Sequence, residues 1–201
     1  MLWGSASMRR LVFVARHGET DWNAAGRWQG HTDVPLNDKG RAQARALAGR
    51  LREACLAGVV ASDLSRAHET ARIVATELGV ALAYVERDLR ERGFGVFEGL
   101  TGAECETQHA EAWRAWLAER KPPEGAEGLE ALTGRLVAAV GRAAEGVARD
   151  GAPALVVTHG GALRSVVASI TGELPALVEN GAVWVLVWEG RLVGASPLDA
   201  D

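Results

Sequence analysis

Cysteine is scarce in this chain of 201 residues, with Cys55 and Cys105 the only two. They are too few for a disulfide scaffold and are not paired at metal-ligand spacing. They read as buried or half-buried thiols in a protein of the reducing cytoplasm. No apolar run approaches the roughly 18 residues that a bilayer span requires. The run 11–15 stops at Arg16, too short for a signal-peptide core, so Arg9-Arg10 reads as the entry to a strand rather than an export tag. There is no His-Glu-x-x-His and no P-loop. Gly93-Phe94-Gly95 continues as Val96-Phe97-Glu98-Gly99, which departs from the dinucleotide pattern. The expectation is chemistry without a metal or an organic cofactor.

What is present is ordinary for a globular protein. Hydrophobic residues make up 48% and charged residues 24%, which excludes disorder, collagen and coiled coil. Lys plus Arg number 22 against 26 Asp plus Glu, a net charge of −4, a poor match to a nucleic-acid binder. The length suits one domain, or one with an inserted cap, and a core burying roughly 70% of the unfolded surface. No repeat or low-complexity segment occurs.

Short apolar runs alternate with helical patterns. Strands are expected at 11–15, 59–61, 80–85 and 154–157. A closing hairpin is expected over 183–188 and 191–193. Helices are expected at 42–52, with Asn37 as a fair N-cap, and from Ser65 as cap to about 78, with Gly79 as stop. Further helices are expected over 103–120 with a break near His109, over 129–149, and over 163–170. The stretch 21–35 reads as loop, 91–99 as a Gly-rich loop, and Lys121-Pro122-Pro123-Glu124-Gly125 as a breaker. Residues 1–7 are a weakly patterned leader. The alternation predicts an α/β fold: a three-layer α/β/α sandwich with a mostly parallel central sheet. A single domain over 1–201 is expected, with a helical lid at about 100–128.

Arg16-His17, Arg66 and His159 follow three of the expected strands. Ligands bind beyond the carboxyl ends of strands in open parallel sheets. Two guanidiniums and two imidazoles meeting there would make a cationic pocket in an acidic protein, and guanidinium forks match tetrahedral oxyanions, so the expected ligand is phosphate. An imidazole kept neutral by neighbouring positive charge stays nucleophilic, and His17 is placed to form a phosphoramidate. Gly18 beside it allows backbone N–H groups to approach an anion. Glu91 is a carboxyl able to protonate a leaving alkoxide.

These residues resemble a known family. Arg16-His17-Gly18-Glu19-Thr20, with Trp22 and Asn23, looks like the signature of the histidine phosphatase superfamily, of phosphoglycerate mutase-like fold. Ser62-Asp63-Leu64-Ser65-Arg66-Ala67, with Thr70 and Ala71, resembles its second-arginine segment. Leu89-Arg90-Glu91 through Gly95, with Glu98-Gly99-Leu100-Thr101, resembles its acid/base loop, and Val156-Val157-Thr158-His159-Gly160-Gly161 its second-histidine segment. The resemblance implies that His17 is the phosphorylated nucleophile. Arg16, Arg66 and His159 would bind the transferring phosphoryl group, and Glu91 would act as acid and then base. Asn23 and Gly160 would help hold phosphate, with Gln29 and Gly30 on the substrate side.

The expected activity is hydrolysis of small phosphomonoesters. The alternatives are a bisphosphoglycerate-dependent phosphoglycerate mutase and a non-catalytic phosphate-binding module. The mutases carry a Lys shortly after the Gly-Leu of the acid loop, where this chain has Thr101-Gly102-Ala103, and an Arg pair where it has Trp113-Arg114-Ala115-Trp116. Trp28, Phe94, Phe97, Trp113 and Trp116 could wall a site for an organic body, or Trp113 and Trp116 could pack one helix face. His31 and His68 have no supporting context, and His68 should be solvated. His109 is a weaker candidate for a substrate contact. Glu19 reads as an ion-pair partner or a pocket support, Asp63 as a turn residue. The expected partner is a small-molecule phosphate ester, with no nucleic acid and no membrane. Trp184 and Trp188 on the last hairpin leave monomer and homodimer both open.

Overall fold

The computed structural model describes residues 9–198, so the leader 1–7 lies outside the described residues. At its centre is a six-stranded sheet ordered β3-β2-β4-β1-β5-β6. The strands are β1 (Arg10–Arg16), β2 (Gly58–Ser62), β3 (Leu82–Glu86), β4 (Ala154–Thr158), β5 (Val183–Trp188) and β6 (Leu192–Pro197). β1 and β2 flank β4 in parallel and β3 joins β2 in parallel, whereas β5 and β6 add the antiparallel hairpin at the β1 edge. The helices are α1 (Asp21–Ala24), α2 (Asp38–Arg50), α3 (Ser65–Leu78), α4 (Gly102–Gln108), α5 (Ala110–Glu119), α6 (Leu129–Gly146) and α7 (Gly160–Thr171). No helix among the described residues is long and apolar enough to cross a membrane.

The central strands read as continuous apolar runs because both faces are covered. Every residue of β2 and β4 is buried. Val12, Val14, Val60 and Val156 face Leu136 and Val140 of α6 and Leu163 of α7. The alternate residues Phe13, Ala15, Leu155 and Val157 face Leu47 of α2 and Ala71 and Val74 of α3. The result is the expected three-layer α/β/α sandwich with a mostly parallel sheet.

Boundaries shift where polar contacts override propensity. Helix α2 starts at Asp38, four residues earlier than its Ala-rich run suggests, because Asn37 Oδ1 accepts the Gly40 N–H at 2.8 Å. Ser65 is not the cap of α3. Leu64 holds that position without a side-chain bond, and the Ser65 N–H goes to Asp33 Oδ1 at 2.7 Å, a partner distant in sequence. Strand β3 starts at Leu82 rather than 80, because the Val80 N–H is spent closing α3 onto the Ala75 carbonyl behind left-handed Gly79. Helix α7 starts at Gly160 rather than 163, and α6 ends at Gly146 rather than 149. Within 21–35, read as loop, α1 forms under a reciprocal Thr20–Asn23 capping box.

The segment 100–128 contains α4 and α5, which meet at His109 as expected. They enclose a satellite core of Phe94, Phe97, Cys105 and Trp116, with Trp28 and Trp113 packed against it. Arg92 stacks over Trp116 at 4.8 Å. Trp113, Trp116 and Phe97 therefore pack the segment itself rather than wall a site.

The loop leaving β1 crosses the start of α2 at backbone contact. A Cβ on Gly18 would overlap the Gly40 carbonyl oxygen, and both partners are backbone, so neither can rotate away. Gly18→Ala is expected to cost about 1–3 kcal/mol in urea unfolding. Gly49→Ala, on α2 with nothing within 4 Å of the added carbon, should leave stability unchanged or raise it by up to about 1 kcal/mol. Equal stability of the two variants would show that the loop and α2 can separate freely.

Candidate active site

The carboxyl ends of β1, β2 and β4 and the N-terminus of α7 open onto a cleft of about 240 Å³. Arg16 and His17 enter it from the end of β1 and Arg66 from the first turn of α3. Glu91 enters from the loop after β3 and Gly160 from the start of α7. Asn23, Gln29 and Gly30 line it from the segment following β1.

His17 is held from several sides. Its N–H donates to the Thr158 carbonyl at 2.9 Å and its carbonyl accepts from Asn180 Nδ2 at 3.0 Å. Its Nδ1 lies 2.6 Å from the Gly18 carbonyl oxygen. A carbonyl can only accept, so Nδ1 carries the proton and Nε2 keeps its lone pair. Nε2 has no hydrogen-bond partner among the described residues. Burial, then the charges of Arg66 and Arg16, hold the imidazole well below the usual histidine value, with the Gly18 bond opposing them weakly.

Arg66 is fully buried. Its Nη1 and Nη2 donate to the carbonyls of Thr32 and Gly30 at 2.9 and 2.8 Å, and its Nε donates to His159 Nδ1 at 3.2 Å. Burial lowers it to about 10, against the pull of Glu91, Asp33 and Glu98. Arg16 donates from Nη1 to the Val178 carbonyl at 2.5 Å, while its Nε is buried without a partner. Neither guanidinium forms an ion pair among the described residues. A fully buried and a half-buried cation without a carboxylate in ion-pair distance, the second with an orphaned donor, form a cradle for an anion.

Glu91 is clamped by backbone. Oε1 accepts the N–H groups of Arg92 and Ala162 at 2.8 and 2.9 Å, and Oε2 accepts that of Gly161 at 2.9 Å. The carboxyl thus caps the N-terminus of α7. This requires Gly161, where a Cβ would come within 2.6 Å of Oε1. Asn23 Oδ1 accepts from the Thr20 N–H and from Asn180, so its amide N–H groups are left for the cleft. Gln29 Oε1 is buried and unpartnered.

His159 is the expected site residue that does not line the cleft. Fully buried, it accepts from Arg66 at Nδ1 and meets Ser62 Oγ at Nε2, 2.9 Å away, with its ring 5.1 Å from that of His17. Both nitrogens are engaged, so in this structure it braces Arg66. Burial, then Arg66, holds it well below the usual histidine value. Trp28 and Phe94 do line the cleft. His109 lines a separate hollow of about 500 Å³ with Lys121 and Pro123. His68 is exposed, as expected. His31 approaches the Glu91 carbonyl at 2.9 Å and so supports the acid loop. Asp63 forms a two-pronged pair with Arg90, both contacts at 2.7 Å, and Glu19 pairs with Lys39 rather than an arginine.

Several contributors have no role assigned from the sequence, where Thr70 and Glu98 are noted only as motif residues. Thr70 Oγ1 accepts the Gly18 N–H at 3.1 Å, and Glu98 binds the N–H groups of His31, Thr32 and Phe94. Arg164, Leu177 and Val178 complete the cleft wall. Of these three, Arg164 has a legible signal, lying one helical turn beyond Gly160 on the same face.

The model of the histidine phosphatase superfamily (branch 1) matches residues 12–191. The chain belongs to this family. It is 43% identical over 159 residues to phosphoglycerate mutase-like protein 4 of Arabidopsis thaliana, covering 77% of this chain and 68% of that protein. It is similar in structure to a phosphoglycerate mutase from Bacillus anthracis, with TM-score 0.83, 27% identity, and coverage of 96% and 94%. It is also similar to a mycobacterial glucosyl-3-phosphoglycerate phosphatase solved with VO3, with TM-score 0.80, 27% identity, and coverage of 94% and 97%. Superfamily membership makes this a chain of the histidine-type phosphoryl-transfer class.

The two neutral imidazoles set a pH dependence of stability. Their folded values lie below 6.5, so the unfolded chain binds more protons as pH falls through 6.5, and stability is lost there. Each imidazole therefore contributes a loss of stability as pH falls through 6.5. His159→Gln should make the loss smaller in urea titrations without phosphate. An unchanged loss would mean that folding leaves the ionisation of His159 unaltered.

Proposed function

We propose that this protein is a phosphomonoesterase that hydrolyses small soluble phosphate esters in the cytoplasm through a phosphohistidine on His17. It would work as one catalytic unit over residues 1–201, with α4 and α5 as a lid. The observation that carries the reading is the tautomer of His17. The Gly18 carbonyl accepts a hydrogen bond from Nδ1–H and so leaves the Nε2 lone pair for phosphorus, beside two guanidiniums with no carboxylate in ion-pair distance.

In the first step Nε2 attacks phosphorus and the ester P–O bond breaks. The Glu91 carboxyl gives its proton to the departing alkoxide. Oε1 already takes two N–H bonds and Oε2 only one, so Oε2 is the oxygen to carry that proton. Arg16, Arg66 and the Asn23 amide bind the equatorial oxygens as charge spreads over them. In the second step water gives a proton to Glu91 and attacks phosphorus. The N–P bond breaks, inorganic phosphate leaves and neutral His17 is restored. The supporting role of His159 is to hold Arg66 through its Nε.

Hydrolysis is favoured over mutase chemistry by what reaches the cleft from the lid. Arg114, in the stretch corresponding to the Arg pair of the mutases this chain resembles, is exposed and does not line it. A second phosphate together with a carboxylate would find no cation from α4 or α5 in the cleft wall.

His17→Ala should abolish phosphate release from p-nitrophenyl phosphate and remove the acid-labile phosphoenzyme seen on rapid quench. Near wild-type turnover would refute the nucleophile assignment. Glu91→Gln should slow alkyl phosphates at least about a hundredfold while p-nitrophenyl phosphate, whose leaving group needs no proton, slows far less. Equal slowing of both substrates would remove Glu91 as the acid.

A further inference from the structure

Glu91 is delivered to the cleft by a loop rather than by a helix or a strand. Its carboxyl is clamped by backbone N–H groups, but the clamp acts on the tip of a flexible side chain. A proton donor works only if its own main chain is fixed as well, since a misplacement of about 1 Å can cost about a hundredfold in rate.

The main chain of this loop is held by one side chain from the second turn of α6. Arg135 uses all five of its N–H groups. Nη1 donates to the carbonyls of Asp88 and Arg90, at 2.8 and 2.7 Å. Nη2 donates to the Glu91 carbonyl at 2.9 Å and to Glu127 Oε2 at 2.7 Å, and Nε donates to Glu127 Oε1 at 2.7 Å. Three main-chain carbonyls, that of Glu91 among them, thus converge on one rigid planar group. A lysine ammonium, with three donors on a flexible stem, could not span them and hold a carboxylate as well.

Glu127 keeps the fork in place. The two side chains pair with less than a fifth of either exposed. Burial raises the Glu127 carboxyl, but the hydrogen bond and charge of Arg135 outweigh it and hold the group below its usual value. The Glu127 main chain also closes on the loop, its N–H donating to the Gly93 carbonyl and its carbonyl accepting from Arg92 Nε, both at 2.8 Å. His31 adds one further bond to the Glu91 carbonyl, but from an exposed ring.

We infer that Arg135 is a positioning residue for the proton donor: through the carbonyls of Asp88, Arg90 and Glu91 it sets where the Glu91 carboxyl meets the leaving oxygen. This rests on the phosphomonoesterase reading and deepens it. Arg135 does not line the cleft. Its effect therefore belongs to proton donation and not to phosphate binding.

The test measures kcat/KM for ethyl phosphate, whose alkoxide must be protonated as it leaves, and for p-nitrophenyl phosphate, whose leaving group needs no proton. Arg135→Gln should lower the ratio of the first to the second by about tenfold or more, while the dissociation constant of inorganic phosphate changes by less than about twofold. In the Glu91→Gln background there is no proton to position, and the same substitution should leave the ratio unchanged. Glu127→Gln should lower the ratio by a smaller factor, and decides alone if Arg135→Gln does not fold. Three results overturn the assignment: a wild-type ratio in the deciding variant, an equal further fall in the Glu91→Gln background, or a loss of phosphate affinity as large as the fall in the ratio. Failure of wild type to release phosphate from p-nitrophenyl phosphate would instead overturn the phosphomonoesterase reading. Arg135 would then be judged by amide hydrogen exchange at Gly161 and Ala162, whose N–H groups bond the Glu91 carboxyl. Arg135→Gln should speed exchange there by about tenfold or more and leave Leu155 in β4 within about twofold, and unchanged exchange at 161 and 162 would overturn the assignment.

Discussion

One fully buried and one half-buried guanidinium meet at the cleft of this protein without a carboxylate within ion-pair distance, and the rest of the site is organised around that fact. A buried cation is tolerated only if its donors are satisfied and its charge has somewhere to go. Arg66 meets the first condition through two backbone carbonyls and the Nδ1 of His159. Arg16 meets it in part, through Val178, and leaves Nε unsatisfied. Neutral acceptors disperse hydrogen-bonding demand without cancelling charge. The positive potential therefore persists in the cleft, where it adds to burial in holding His17 below the usual histidine value and attracts an anion.

That arrangement would collapse if a side-chain acid drifted into it. The nearest, Glu91, is restrained by three backbone N–H donors, two from the first turn of α7 and one from its own loop. Restraint by backbone keeps the carboxyl beside the cations without a salt bridge forming. Glycine at 161 is what permits the approach. Other acids of the region are tied elsewhere: Asp63 to Arg90, Glu104 to Arg27, Glu98 to backbone N–H groups. The site is as much a product of where the carboxylates are held as of where the arginines are placed.

The four motif segments were legible because each is local. A strand end followed by Arg-His-Gly, a serine-rich turn into a helix carrying Arg66, a glycine-rich acid loop and a second strand end at His159 are all short strings. The sheet order then brings the ends of β1, β2 and β4 side by side. Contributors from the loop before β5, such as Asn180, Leu177 and Val178, carry no pattern of their own. Their position depends on the antiparallel return of β5 along β1. The lid tryptophans were ambiguous for the same reason, since three-residue spacing shows that they share a face but not what that face meets.

Periodicity, strand-end polarity and motif order were enough to establish the α/β class, the layered architecture and the main site residues, because these follow from near-neighbour chemistry along the chain. Packing across the sheet was needed to establish that His159 stands behind Arg66 rather than in the cleft, that Trp113 and Trp116 fill the segment over the site, and that Arg164 reaches the cleft wall. Each of those outcomes turns on distances between residues far apart in sequence. Such distances are set when whole faces of helices and strands compete for burial, a balance that no local string encodes.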